Sequence, residues 1–353
     1  IRLPFGKGMA GATALDGTPL LVEDVRRNPH FDPEVDRRTG FQTENALCAP
    51  IRERDGKVVA VVQLLNKAGG FSEQDLEFLE LMGVPVAQAL ANAHAQQVLV
   101  ERQRLLKEME LARRIQALLL PSELPEVRGI DVAGRMVSSR QVGGDYYDVV
   151  PMDGGRTLFI VADVSGKGVP AALVMSNLQA ALWATASLGP ELDAWAEHLN
   201  ELLYGRLGGS RYVTAFLLLL DPEQGAARYV NAGHPPGLVL EGKGIRRLGA
   251  TGAPLGLLPA QRYEVDVTPL AEGSSVLLYS DGLTEAADAA GNELGVEGVE
   301  RLLSLAAGEP AASAVEQILA GVSSYASGET DRDDRTLVLL RRVTRPGPAS
   351  PRR

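Results

Sequence analysis

Along residues 44–66, ENALCAPIRERDGKVVAVVQLLN, two apolar runs flank Asp55-Gly56, a dipeptide suited to the positive φ angles of a tight turn, and the pattern predicts a β-hairpin. Beyond Ser72 the spacing changes. Leu76, Leu79, Met82, Val86 and Leu90 recur at three- and four-residue steps behind Gln74 and Asp75, which predicts an amphipathic helix preceded by Ser72. Pro85 lacks the amide hydrogen that a helix interior needs and is expected to kink or divide it. From Ala87 to Leu120 no glycine or proline interrupts, while Val98, Leu105, Ala112 and Leu119 fall at seven-residue intervals with polar Arg102 and Gln116 between them. A long connecting helix follows, ended by PSELP at 121–125. It reads either as an amphipathic helix packed on a neighbouring domain or as one helix of a parallel homodimer.

Past that boundary the apolar runs shorten. Thr157–Ala162, Tyr212–Leu220, Arg228–Val230, Ser275–Tyr279 and Thr336–Leu340 read as strands, most of them separated by turns containing Gly or Pro. Helical spacing occupies Ala171–Ser187, Leu192–Leu203, Gly298–Leu305 and Ala312–Tyr325. Consecutive strands between 212 and 230 favour antiparallel pairing, so the expected fold class is α+β, a sandwich rather than a doubly wound parallel sheet. The closing RPGPASPRR reads as disordered.

At 353 residues the chain is long for one domain, and two are expected. Charged residues at 23% against 45% hydrophobic ones describe an ordinary globular composition. A net charge of −10 argues against nonspecific nucleic-acid binding, which depends on clustered Lys and Arg. Cys48 is the single cysteine and cannot form an internal disulfide, and no apolar run approaches the roughly 20 residues needed to span a bilayer. A cytoplasmic location is expected, with no membrane contact from this stretch. Opening on Ile1, without a charged-then-apolar leader, the chain reads as a piece of something longer.

The candidate chemistry lies in acidic residues at strand ends. Asp163 closes the apolar run FIVADV, Asp145 lies in RQVGGDYYDVV, Asp281 ends SSVLLYSDG, and Asp331, Asp333 and Asp334 crowd the start of TLVLL. Each alone reads better as a solvated turn residue. Together, on rigid strand ends beside glycines, they can converge with fixed geometry. Converging carboxylates repel and resist joint ionisation, and divalent cations reverse that preference. An all-oxygen set without a His or Cys cluster points to Mg²⁺ or Mn²⁺ over Zn²⁺. His234, beside two prolines with no second histidine near, reads as a hydrogen-bonded loop residue. Lys167 reads as a solvated turn lysine rather than a phosphate ligand.

GGDYYD, DVSGKG, NAGHPP, SDG and DDRT, in that order, resemble the PPM-type metal-dependent serine/threonine phosphatases, SpoIIE/RsbU-like branch, and LARRIQALLLPSELP resembles the helix leading into that domain. The resemblance covers about Leu111 to Val343. It implies a β-sandwich flanked by helices and two divalent cations, Mn²⁺ or Mg²⁺. Asp163 resembles the aspartate that bridges the metals, Val164 the residue lending a backbone carbonyl, and Asp145, Asp281 and Asp333 the remaining acidic ligands, with Asp163 and Asp281 the catalytic pair. Asp334 and Asp148 fall to supporting positions. The implied reaction is in-line attack on phosphoserine or phosphothreonine by a water shared between two metals. The implied substrate is a phosphorylated anti-anti-sigma factor of STAS fold in a bacterial partner-switching pathway.

CAPIRER, from Cys48, has the spacing of thiol-dependent phosphatases, but Pro50 lacks an N–H, no glycine is present and Glu53 would repel phosphate. A buried strand cysteine is the better reading. Residues 1–95 resemble the later part of a GAF sensor domain, and Asn66, Lys67, Phe71 and Asp75 match part of a signature of cyclic-nucleotide-binding GAF domains, with Leu76 where that signature has glutamate. A structural role for these four residues stands beside a ligand-binding one. The expected organisation is a partial GAF sensor (1–95), a linker helix (96–122), a SpoIIE-like PPM phosphatase domain (123–343) and a disordered tail (344–353). The expected function is a Mn²⁺- or Mg²⁺-dependent protein phosphatase regulated by its GAF domain. An inactive signalling scaffold and a small-molecule GAF sensor remain as alternatives, the scaffold disfavoured by acidic residues at all four motif positions.

Overall fold

A computed structural model describes residues 6–138, 142–186, 188–189, 191–221, 225–326 and 333–343. Asp331, Ser187 as a helix end, Arg140 and Gln141 of the first acidic motif, and the tail from 344 lie outside them. The chain divides into two compact units, Ile1–Leu106 and Lys107–Arg353.

In the first unit, helix α1 (Gly8–Asp16), strand β1 (Leu20–Val22), helix α2 (Pro33–Thr39) and strands β2 (Ala46–Arg52) and β3 (Val58–Leu65) build an antiparallel sheet of order β1-β2-β3. The expected hairpin is β2–β3, turning through Gly56 at φ +87°. Met9, Val22, Val25, Ala46 and Cys48 form its core. Cys48 is buried on β2, and burial pushes its thiol up to about 11, so the thiol-phosphatase reading fails on chemistry as well as on loop shape.

Helix α3 (Glu73–Ala117) runs 45 residues with Pro85 inside it. The expected division at Pro85 does not occur. One missing main-chain hydrogen bond is outweighed by cooperative helix on both sides, where Leu79, Met82, Ala87, Leu90 and Ala91 are strong helix formers.

The second unit alternates strands and helices: β4 (Ile130–Val137), β5 (Tyr146–Pro151), β6 (Thr157–Val164), α4 (Val169–Ala186), α5 (Leu192–Leu207), β7 (Val213–Asp221), β8 (Ala226–Ala232), β9 (Gly237–Glu241), β10 (Gly244–Leu248), β11 (Asp266–Pro269), β12 (Ser275–Tyr279), the single turn α6 (Asp281–Thr284), α7 (Gly295–Leu305), α8 (Ala311–Tyr325) and β13 (Arg335–Arg342). They form two five-stranded sheets, β10-β9-β12-β13-β4 and β11-β8-β7-β6-β5, whose named strand pairs are all antiparallel. The α+β sandwich expected from the sequence is therefore present, with α4 and α5 packed outside one sheet and α7 and α8 outside the other.

Strand parity explains why β6 reads as a continuous apolar run. Leu158, Ile160 and Ala162 pack towards α4 and α5, whereas Phe159 and Val161 meet Val276, Leu278 and Val338 of the other sheet. A strand buried on both faces has no polar side to show. The same parity decides where the acids point, because Asp163 follows Phe159 and Val161 into the gap between the sheets.

Candidate functional site

Four chain segments deliver acidic residues to one end of that gap. Asp145 precedes β5 and shares the face of Tyr147; Asp163 is the penultimate residue of β6; Asp281 opens α6 just beyond β12; Asp333 and Asp334 lead into β13. The turn after β6 needs its glycines: Gly166 and Gly168 stand at φ +91° and +78°, a left-handed conformation costly for other residues. Gly143 and Gly144 let the cluster close. A β carbon on Gly143 would collide with the Asp334 carboxylate, and one on Gly144 would lie 3.0 Å from the Val164 carbonyl oxygen and 3.2 Å from Asp163 Oδ1.

Asp145 is 2% exposed and is held by hydroxyls from the opposite sheet, Ser280 Oγ donating to its Oδ2 at 2.7 Å and Thr336 Oγ1 at 2.5 Å. Burial first, and the Asp163 charge second, raise the Asp145 pKa well above the usual carboxylate range. Burial and then the Asp281 charge push Asp163 up to about 7. Burial and then Asp333 raise Asp281. Glu285, one turn on, is raised by burial and by Asp281 and Asp333. Lys167 Nζ lies 2.5 Å from Asp333 Oδ2, so the turn lysine expected to be solvated is paired with the cluster.

Among the described residues, no group of three or more carboxylate, imidazole or thiol side chains is arranged to hold a metal ion as it stands. The donor set nonetheless fits a hard divalent cation in kind and in charge. It offers oxygen ligands alone, including the Val164 carbonyl, and burial together with mutual repulsion opposes ionisation of its carboxylates until a cation offsets both.

One supporting residue is misplaced by sequence. Asp148 lies on the outer face of β5 and accepts hydrogen bonds from Tyr146 Oη at 2.6 Å and Trp183 Nε1 at 2.8 Å of α4, because its even position along the strand turns it away from the gap. Asp334 does join the cluster, its charge raising Asp163. Sequence reasoning assigns no role to Ser280 and Thr336, although each stands inside a motif quoted for its aspartates. It also passes over Gln116, whose buried amide donates to Gly143 O at 2.9 Å and accepts from Gly143 N at 3.1 Å, tying the end of α3 to the loop before Asp145.

In the first unit a cavity of about 400 Å³ is lined by residues that include Met9, Phe31, Val35, Phe41, Thr43 and Leu65. Asn66, Lys67 and Asp75 do not line it. Instead Lys67 Nζ meets Asp75 Oδ2 at 2.5 Å, Ser72 donates twice to the same oxygen at 2.8 Å, and Asn66 bonds to the main chain of Gln42 and Glu44. The signature here fastens the end of β3 to the start of α3.

The fold and the acidic end of the sandwich define a PP2C-like phosphatase domain, joined to a GAF domain. Residues 153–343, more than half of the chain, match the family model described as Stage II sporulation protein E, and residues 1–91 match the GAF domain. The chain belongs to the SpoIIE family. It is 30% identical over 207 residues to phosphoserine phosphatase RsbU of Bacillus subtilis, covering 58% of this chain and 62% of that protein's length. Phosphoserine phosphatase RsbP of the same organism is 30% identical over 187 residues, with 51% of this chain and 45% of RsbP covered. The chain thus spans less than two thirds of either relative. Among solved structures, the RsbU and RsbW domains of a Mycobacterium tuberculosis protein superpose with TM-score 0.56 at 28% identity, covering 64% of each chain. No helix among the described residues is long and apolar enough to cross a membrane.

Proposed function

We propose that this chain is a protein serine/threonine phosphatase that requires divalent cations, Mn²⁺ or Mg²⁺, and acts on a phosphorylated regulatory protein. The observation that carries the reading is the meeting of Asp145, Asp163, Asp281 and Asp333 from four chain segments at one end of a PP2C-like sandwich. Asp163 and Asp281, with Asp145, Asp333 and the Val164 carbonyl, would hold the ions, whose chemistry is to lower the pKa of water and offset phosphoryl charge. Ser280 and Thr336 fix the Asp145 carboxylate through its Oδ2. Lys167, beside Asp333, places a positive charge at the edge of the cluster, where a phosphate oxygen would arrive.

Similarity to RsbU and RsbP favours a phosphorylated anti-anti-sigma-factor-like protein as the substrate. The GAF unit is assigned as sensor, with its cavity as the site for a small ligand. Along α3, Val98 and Leu105 are 55% and 52% exposed, and pairing of this helix with a second copy would cover them.

Hydrolysis of p-nitrophenyl phosphate with Mn²⁺, Mg²⁺ or EDTA tests the reading, using wild type and Asp163→Asn. Activity is expected to need the metal and to fall at least about a hundredfold in the variant, since a metal-assisted attack loses its central ligand. Metal-independent turnover, or full activity of the variant, would refute it.

A further inference from the structure

His234 sits where the chain passes from one sheet to the other. β8 ends at Ala232 and β9 begins at Gly237, and the two strands lie in different sheets. NAGHPP is therefore a crossover, and its contacts place it at the acidic end of the sandwich. The imidazole is 5% exposed. Its Nδ1 lies 2.8 Å from Thr214 Oγ1, and Thr214 is the cross-strand partner of Asp163 in the β6–β7 register. The ring also faces the main chain of Tyr279, two residues before Asp281 on the opposite sheet. The His234 amide donates to Asn231 Oδ1 at 2.7 Å, which holds the crossover itself.

Burial pushes the ring's pKa down to about 3, so it is neutral and carries one donor and one acceptor. With Nδ1 engaged by Thr214, Nε2 is left towards Tyr279, and it makes no hydrogen bond among the described residues. A buried imidazole nitrogen with no hydrogen bond is costly in a core. The arrangement that costs least has the Thr214 hydroxyl donating to Nδ1, with the ring proton on Nε2 directed at the Tyr279 main chain.

We propose that His234 is a positioning residue, a neutral strut that ties the Thr214–Asp163 strand ends of one sheet to the Tyr279–Asp281 strand end of the other and so sets the spacing of the two carboxylates offered to a divalent cation. This rests on the metal-dependent reading above. The strut acts through Asp163 and Asp281 and touches no reacting atom. A histidine that merely filled space would make the same contacts but would leave metal affinity untouched.

The experiment uses the full chain, with Mn²⁺ binding followed by calorimetry and p-nitrophenyl phosphate turnover followed against Mn²⁺ concentration. His234→Leu removes the hydrogen bond to Thr214 and the ring nitrogen directed at the Tyr279 main chain. Thr214→Val removes one hydroxyl and keeps the side-chain shape, so it decides the matter if the leucine variant does not fold. Each is expected to weaken Mn²⁺ binding about 10- to 100-fold, the range typical when a partner orienting a metal ligand is lost. The Mn²⁺ needed for half-maximal activity should rise in parallel, and the double variant should bind Mn²⁺ no more weakly than the weaker single, because both changes break one connection. Wild-type Mn²⁺ affinity in variants that merely melt earlier overturns the strut while leaving the phosphatase reading standing. A wild-type chain that neither binds Mn²⁺ nor turns over substrate overturns both.

Discussion

Asp163 holds its proton up to about pH 7 in the folded chain, against 3.8 for a free side chain. A group that binds its proton more tightly when folded adds stability that is complete below about pH 4 and is lost as pH climbs through 7. In EDTA the stability difference between wild type and Asp163→Asn should therefore move against wild type across that window. At pH 8 the variant, which cannot ionise, is expected to be the more stable by on the order of 1–4 kcal/mol. Urea unfolding at pH 4, 6 and 8 measures this, and a wild-type advantage growing with pH would contradict it. Added Mn²⁺ should reverse the order, because a ligand that binds the folded state stabilises the chain that keeps its carboxylate. The acids themselves were legible because a carboxylate closing an apolar strand beside glycine is chemically conspicuous. Ser280 and Thr336 were not, since a hydroxyl in a turn looks the same whether it meets water or Asp145. Asp148 misled because proximity in sequence to Asp145 hides that alternate strand positions face opposite ways.

Several strands apolar on both faces were readable, and the edge strands with polar outer faces were not. Thr157–Ala162 and Ser275–Tyr279 were recovered as β6 and β12 because both faces are buried, whereas β4, β10 and β11 carry polar residues such as Arg135, Arg246 and Asp266 on exposed faces and show no clean period. The crossover role of NAGHPP was invisible for a related reason, since sheet membership depends on partners distant in sequence. Close approach of elements also fixes which glycines matter. A β carbon on Gly282, in α6, would collide with the Asp334 main-chain carbonyl, while Gly205 in α5 has no atom within 4 Å of such a position. Gly282→Ala should therefore cost about 1–3 kcal/mol and push apart the strand ends that carry Asp281 and Asp334. Gly205→Ala should add roughly 0.5–1 kcal/mol by restricting the unfolded chain and favouring helix. Denaturant midpoints of the two variants give the comparison, and equal effects would mean that the tight approach at Gly282 relaxes freely.

Helix α3 begins in the GAF unit and ends in the phosphatase unit, where Gln116 grips Gly143 two residues before Asp145. If the helix transmits a signal by its rotation, its phase at Gln116 matters more than its length. Two residues inserted after Val100 rotate everything downstream by about 200°, whereas seven residues return the phase to within about 20°. With inserts made of helix-forming Ala, Gln and Leu, the two-residue insert is expected to change Mn²⁺-dependent turnover of p-nitrophenyl phosphate by tenfold or so, and the seven-residue insert to restore it. A Gly-Gly insert at the same place adds flexibility to the phase change and should abolish any dependence of activity on the GAF unit. Equal activity across all three inserts would reduce α3 to a tether, with Gln116 bracing the loop for structural reasons alone. Gln116→Leu separates those cases further. It removes both amide contacts while keeping the helix, and so should lower turnover in every insert if the grip on Gly143 is the final link, and in none if the loop stands without it.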